Sequence, residues 1–235
     1  MNRLTALLLP LIVLISSLSQ GRADQDPASL AKYWSASVQA ETSKNYDEAL
    51  KQLAAYQSEG GDTFFLTMRT AWLYYLKGSY PQSEQFYRAA ASQQPAALNP
   101  VLGLLTIAQA AADGKKIETA SDGVLRIDPL NYRANMALGG VYLATKRYQQ
   151  SFSAYRRVLT SYPDDIDARS GAAWASYYMG QKAEAVADFR TILSLYPAYP
   201  HALEGFNLAS ARTDGTTGLQ PSGLQPSAGL HSGGL

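Results

Sequence analysis

Four prolines recur at one constant interval along this chain of 235 residues. Proline removes a backbone donor and disfavours helix in the residue before it, so each one marks the end of a structural unit. The prolines are Pro95, Pro129, Pro163 and Pro197, and their interval divides the chain into blocks at 28–61, 62–95, 96–129, 130–163 and 164–197. The first block ends in Gly60-Gly61 instead of proline. This period predicts an array of similar units rather than one irregular domain.

Each block is predicted to be a pair of helices joined by a turn. Apolar residues recur at helical spacing on both sides of a break near the middle of the block, as in Phe152, Tyr155 and Leu159. The breaks stand at Lys44-Asn45, Lys77-Gly78, Asp113-Gly114, Lys146-Arg147 and Gly180-Gln181. A single helical hairpin cannot bury its apolar face alone, so neighbouring hairpins must stack. The sequence therefore predicts an all-α solenoid.

Small residues occupy two equivalent positions in four of the five blocks, where helices can then approach closely. They are Ser37, Ala71, Gly139 and Ala173 at the first position and Ala49, Ser83, Ser151 and Ala185 at the second. With the period and the segments Asn45–Leu50 and Leu138–Leu143, they make residues 28–197 resemble the tetratricopeptide-repeat (TPR) family. The resemblance implies a right-handed superhelical solenoid of about five helix-turn-helix repeats over residues 24–212. It implies little about function.

The block at 96–129 departs from this pattern. Leu105 and Ile117 are bulky where the other blocks are small, and Ser121 stands where the family usually packs an aromatic ring. We expect a local widening or a soft spot there. Residues 198–212 are predicted to form a C-terminal capping helix, because an open-ended solenoid needs a covered last face. Residues 213–235 are rich in Gly, Ser and Pro and are predicted to be a flexible tail, either a spacer or a partner-binding motif.

The N-terminus has the layout of a secretory signal peptide. One positive charge at Arg3 precedes an uncharged run over residues 4–18, and Gly21 and Ala23 offer small residues before a cleavage site. The run is short for a bilayer span, which needs about 20 apolar residues. We expect residues 1–23 to be removed and the protein to be exported to the periplasm. The alternative is an inner-membrane anchor formed by residues 4–18.

The residue types argue against catalysis. The chain has no cysteine and two histidines, His201 and His231, and it contains no recognisable metal, phosphate-binding or nucleophile motif. Asp164 and Asp165 follow a proline, where acidic residues favour the start of a helix. A net charge of +1 does not favour nucleic acid. We therefore expect a protein that is not an enzyme and uses no cofactor or metal.

A binding groove is implied by the TPR resemblance, because in that family the first helix of each hairpin lines the concave surface. The residues placed there are Trp34, Phe65, Met68, Trp72, Tyr75, Arg133, Met136, Leu143, Trp174, Tyr177 and Tyr178. Exposed Trp and Tyr side chains favour recognition, since they bury a large area at low entropy cost. The competing interpretation is that aromatic residues at helical spacing belong to the core. The Lys, Asn and Arg clamp that some TPR domains use for terminal carboxylates is absent.

Three functions remain open at this point. The leading hypothesis is a scaffold or adaptor that binds a protein or peptide segment in the aromatic groove. The second is carbohydrate binding, as in proteins that resemble accessory TPR proteins of polysaccharide export. The third is a membrane-tethered linker similar to the kinesin-light-chain-like TPR proteins, whose repeats are longer than these. It would connect a filament or complex to the membrane if the N-terminal segment is retained.

Overall fold

The computed structural model describes residues 26–211, and every regular element in that range is an α-helix. The predicted all-α fold is confirmed. The chain divides into two compact units, Met1–Ser79 and Tyr80–Leu235, whose described parts hold α1 to α3 and α4 to α11 respectively. The helices are α1 Pro27–Thr42, α2 Tyr46–Ser58, α3 Thr63–Leu76, α4 Tyr80–Gln93, α5 Leu98–Ala110, α6 Gly114–Ile127, α7 Tyr132–Ala144, α8 Tyr148–Ser161, α9 Ile166–Tyr178, α10 Lys182–Leu195 and α11 Pro200–Ser210.

Helices pack mainly on their neighbours in the chain. In the first unit α2 packs against both α1 and α3, and in the second unit each helix from α4 to α11 packs against the next. Helix α9 also contacts α7 and α11, so first helices of successive hairpins touch each other. This nearest-neighbour packing is the arrangement of stacked hairpins in a solenoid.

The turn inside each hairpin uses one residue with left-handed backbone geometry. Lys44, Gly78, Ala112, Lys146 and Gly180 have φ between 51° and 81°, and they occupy the same position in successive repeats. A side chain at such a φ costs about 1 kcal/mol or more, whereas glycine adopts it without strain. The same left-handed turn therefore recurs in all five hairpins, although only two of the five positions carry glycine, the residue best suited to it.

Contacts between successive hairpins of the second unit depend on aromatic rings lying against glycine. Tyr155 lies on Gly171, and Phe189 lies on Gly205, so closely that a methyl group at either glycine would overlap the ring. Tyr87 makes the same contact with Gly103. The separation in sequence between ring and glycine is the same in each case, so the contact always joins the second helix of one hairpin to the next helix.

The block at 96–129 replaces this contact with a different packing. Ser121 stands at the aromatic position, and Ala137 stands at the position of the glycine that would follow it. Leu105 is fully buried against Val124 and Ala134, so its bulk fills the interior where a ring is missing. The Ser121 hydroxyl is also fully buried, and it has no hydrogen-bond partner among residues 26–211. The bulky Leu105 and the small Ser121 therefore compensate for each other, and the Ser121 hydroxyl is left unpaired.

Candidate functional site

The first unit presents large apolar side chains to solvent on helices α1 and α3. Phe65 is 60% exposed, Val38 is 41% exposed and Trp72 is 38% exposed. Trp34 is half-buried, with its ring centroid 5.4 Å from that of Tyr56 of α2. We call the surface formed by Trp34, Val38, Phe65, Met68, Trp72 and Tyr75 the aromatic face. Five of its six members are groove residues expected from the sequence.

A polar network beneath the aromatic face holds α1 and α3 together. Glu41 accepts hydrogen bonds from Arg69 Nη2 at 2.6 Å and from Trp72 Nε1 at 2.8 Å, one on each carboxylate oxygen. The Arg69 Nε donates to Ser37 Oγ at 3.3 Å, and the guanidinium carbon lies 5.2 Å from the centre of the Trp34 ring. The two tryptophans are therefore linked through one ion pair.

This network fixes the aromatic face and removes its net charge. Arg69 and Glu41 neutralise each other, and their side chains are only 13% and 23% exposed. The Trp72 ring also stacks on Tyr75, with a centroid distance of 5.4 Å. An aromatic surface whose rings are already fixed loses little conformational entropy when a partner binds.

Sequence reasoning missed Arg69. It occupies the repeat position that Gly103, Gly171 and Gly205 hold in later hairpins. Leu53 likewise stands at the repeat position of Tyr87, so the aromatic ring that would need a glycine is replaced as well. The replacement of both the ring and the glycine was a signal in the sequence that the contact between α2 and α3 differs from the later ones.

The second unit carries the remaining expected groove residues on α7 and α9. Arg133 is exposed, and its Nη2 donates to Thr106 Oγ1 of α5 at 2.8 Å. Met136 packs at the margin of a cluster around Tyr155, and Leu143 packs at the margin of the cluster between α9, α10 and α11. Met136 and Leu143 are half-buried, so this surface is less apolar and less exposed than the aromatic face.

Trp174 is wrong as a groove residue. It is 5% exposed, and its ring packs edge-on against Phe189 of α10 at 5.4 Å and stacks with Tyr178 at 5.7 Å. Helix α10 covers it, so its ring belongs to the core. Tyr177 and Tyr178 stay half-buried at the edge of that cluster. Burial raises the pKa of Tyr178, which therefore remains a neutral phenol at physiological pH.

An open groove that the sequence analysis did not predict lies between α6 and α8. The space within this groove, which is open to solvent, is about 780 Å³. Its apolar base is formed by Leu125, Leu138 and Tyr142, and charged side chains stand on both walls. The lining residues are Asp122, Leu125, Pro129, Leu130, Leu138, Tyr142, Gln149, Gln150, Ser153 and Arg157.

Within residues 26–211, no group of three or more His, Cys, Asp or Glu side chains is arranged to hold a metal ion. None of the helices in this range is both long and apolar enough to cross a bilayer. Several expectations lie outside the described residues: the signal peptide at 1–23, the alternative anchor at 4–18, the tail at 213–235 and His231. His201 lies in the first turn of α11 beside Tyr199.

Models of the tetratricopeptide-repeat family match residues 105–166 and residues 167–199. No curated protein matches the chain. Among solved structures, the chain is similar to a tetratricopeptide repeat protein from Parabacteroides merdae ATCC 43184, with 17% identity and a TM-score of 0.64 over 77% of this chain and 72% of that one. It is also similar to MamA protein, with 15% identity and a TM-score of 0.60 over 71% of this chain and 91% of that one.

MamA from Desulfovibrio magneticus RS-1 gives 13% identity and a TM-score of 0.60 over 77% of this chain and 99% of that one. At these identities the structural similarities establish the fold alone. The family matches begin within α5, continue through α10 and end at residue 199, next to α11. Together with the constant interval between the prolines, they show that the chain contains tetratricopeptide repeats.

Proposed function

We propose that this protein is a non-enzymatic scaffold that binds a segment of a partner protein on the aromatic face. The observation that carries the proposal is the exposure of Phe65, Val38 and Trp72 on two adjacent helices of one compact unit. Exposed apolar side chains that cluster on a folded surface mark interaction sites more often than scattered ones do. TPR proteins generally bind protein partners, which supports the same conclusion.

The chemistry of the aromatic face favours an apolar segment of protein as its ligand. A few residues, often Trp, Tyr or Arg, account for most of the binding energy at protein interfaces. The polar atoms nearest these rings are engaged with one another: Glu41 accepts from both Arg69 and Trp72. They offer few free hydrogen-bonding groups to a sugar, whose hydroxyls need such partners. Carbohydrate binding is therefore the less favoured alternative for this face.

The second unit extends the proposal to a second set of groove residues. Arg133, Met136, Leu143, Tyr177 and Tyr178 offer a mixed polar and aromatic surface on α7 and α9. We propose that it contacts the same class of ligand, with Arg133 available to an acidic residue or a backbone carbonyl. Trp174 supports this surface from below and makes no direct contact.

The cellular location is also a proposal. Residues 1–23 are proposed to direct export, after which the scaffold would act in the periplasm. If instead residues 4–18 are retained, the scaffold would be tethered to the inner membrane. Mass spectrometry of the mature N-terminus distinguishes these outcomes: a chain that starts at Asp24 supports export, and one that retains Met1 supports tethering.

Photo-crosslinking in the producing cell tests the aromatic face. A photoreactive phenylalanine analogue is placed at Phe65 and, as a matched control, at Tyr196, which is 55% exposed at the end of α10. We expect a discrete crosslinked protein from position 65 that is lost when Trp72 is also changed to Ala. Identical crosslinks from both positions, or none from position 65, would contradict the proposal.

A further inference from the structure

We propose that the groove between α6 and α8 is a second binding site, which receives an amphipathic helix of a partner protein. The helix would place aliphatic side chains on Leu125 and Leu130, a basic residue against Asp122, and an acidic residue against Arg157. This site is separate from the aromatic face, because its whole lining belongs to the second unit.

The corresponding gaps on either side of this groove are joined by ion pairs. Between α8 and α10, Arg156 Nη2 reaches Glu184 at 2.9 Å and Asp188 at 3.0 Å. Between α4 and α6, Lys116 Nζ reaches Glu84 at 2.8 Å. The second helices of these hairpins are therefore tied together across each gap by side chains of opposite charge.

Between α6 and α8, the positions that correspond to the Arg156 bridge carry residues that cannot form it. Asp122 stands one repeat before Arg156, so an acid replaces the arginine. Gln150 and Ala154 stand one repeat before Glu184 and Asp188, so both carboxylates are absent as well. Glu118 stands one repeat after Glu84 and accepts two hydrogen bonds from Arg147, so an ion pair joins α6 and α8 at the end where α8 begins, as one joins α4 and α6. Beyond that pair, the bridge that closes the α8–α10 gap is missing, and the groove lies along this part of α6 and α8.

The charged groups on the two walls are available to a ligand. Within residues 26–211, the Asp122 carboxylate makes no hydrogen bond or ion pair, and the Arg157 guanidinium makes only a long hydrogen bond, from Nη1 to Asn135 Oδ1 at 3.4 Å. Leu130, beside the groove, is 48% exposed although it is a large apolar residue. An apolar base between walls of opposite charge disfavours a polyanion such as nucleic acid, because Asp122 would repel phosphate.

A helix is the segment that fits these features best. Its aliphatic stripe, at spacings of three and four residues, would lie on the apolar base. The residues that flank such a stripe on its two sides face the two walls, as charged residues flank the seam of a coiled coil. A basic flank facing Asp122 and an acidic flank facing Arg157 would replace the missing bridge and set the direction in which the helix binds.

A variant that rebuilds the bridge tests this proposal. Asp122→Arg with Gln150→Glu restores the residue types of the α8–α10 gap and should close the groove without loss of fold. We expect the thermal midpoint of this double variant to equal or exceed that of the wild type. The probe is a display library of amphipathic 18-residue helices, selected on the wild-type protein in its full length.

The expected clones carry a basic flank and an acidic flank. They bind the closed variant, Asp122→Arg with Gln150→Glu, at least tenfold more weakly than they bind the wild type. Arg157→Glu should weaken them similarly, and reversal of the clone's acidic flank to lysine should restore binding. Tyr196→Ser, outside the groove, should leave their affinity unchanged. Clones that bind the closed variant equally well, clones without the charge bias, or the absence of clones would each overturn the proposal. Clones whose binding is lost only with Phe65→Ser would be ligands of the aromatic face, and they would also overturn the proposal of a site between α6 and α8.

Discussion

Removing Glu41 should both destabilise the first unit and weaken ligand binding on the aromatic face. Glu41→Ala deletes the acceptor of two hydrogen bonds and leaves the Arg69 guanidinium, which is 13% exposed, without its counter-ion. A charge-assisted hydrogen bond contributes about 1.5–3 kcal/mol, and an unpaired buried charge adds to the loss. Because both side chains keep some contact with water, we expect the free energy of unfolding to fall by about 2–3 kcal/mol.

Two further variants separate the loss of the pair from the loss of a single side chain. Glu41→Gln keeps an acceptor for Trp72 and removes the charge, so it should lose about half as much stability. Glu41→Ala combined with Arg69→Met removes both charges and keeps an apolar stem over the Trp34 ring. We expect this double variant to lie within about 1 kcal/mol of the wild type, so that it recovers most of the stability lost in Glu41→Ala.

Urea unfolding followed by tryptophan fluorescence measures these values. The chain has three tryptophans, and only Trp174 lies in the second unit. In a Trp174→Phe background the fluorescence therefore reports the first unit alone. Equal unfolding midpoints for Glu41→Ala and the parent would refute the reasoning, as would a double variant that is less stable than Glu41→Ala.

Three further predictions concern the framework of the second unit. Ala112→Gly relieves the left-handed turn and should raise the free energy of unfolding by up to about 1 kcal/mol, whereas Ala111→Gly in the preceding right-handed position should lower it by a similar amount. Both are measured by urea unfolding with Trp174 retained, because this tryptophan reports the second unit. Leu105→Ala should lower the free energy of unfolding by about 3 kcal/mol and Ser121→Phe by about 2 kcal/mol. The double variant should lose clearly less than the sum, because the new phenylalanine ring enters the space that Leu105 vacates. Additive losses would disprove the compensation between these two positions. The hydrogen bond from Lys116, and to a smaller extent that from Arg88, lowers the pKa of the Glu84 carboxyl below its usual value of 4.5. The ionised carboxylate therefore stabilises the fold at neutral pH, and this stabilisation is lost as the pH falls through the lowered pKa. The stability difference between Glu84→Gln and the wild type should therefore disappear in acid, and a constant difference from pH 7 to pH 2 would contradict this assignment.

The sequence predicted the helical hairpins because a constant repeat period and helical spacing are both local properties of the chain. It did not place Trp174 correctly, since periodicity shows that residues share a face but not that α10 covers that face. Arg69 was missed because its role depends on a contact with Glu41, in the preceding hairpin, that no spacing rule specifies.

The groove between α6 and α8 was missed for a different reason. It results from side chains that fail to bridge two helices, and an absent contact leaves no motif in a single segment. Asp122 becomes informative only when it is compared with Arg156 one repeat later and when the structure shows what Arg156 does. Comparison between repeats, position by position, could have found this signal before the structure.

The contact between an aromatic ring and the glycine of the following helix limits how the repeats can be rearranged. Each hairpin of the second unit is shaped for the neighbour that follows it: Phe189 requires Gly205, whereas Ser121 is followed by Ala137. If recombination exchanged the hairpin that begins at residue 130 with the one that begins at 164, Phe189 would meet the methyl group of Ala137 in place of hydrogen. The repeats look alike in sequence, yet their order along the chain is encoded at the junctions.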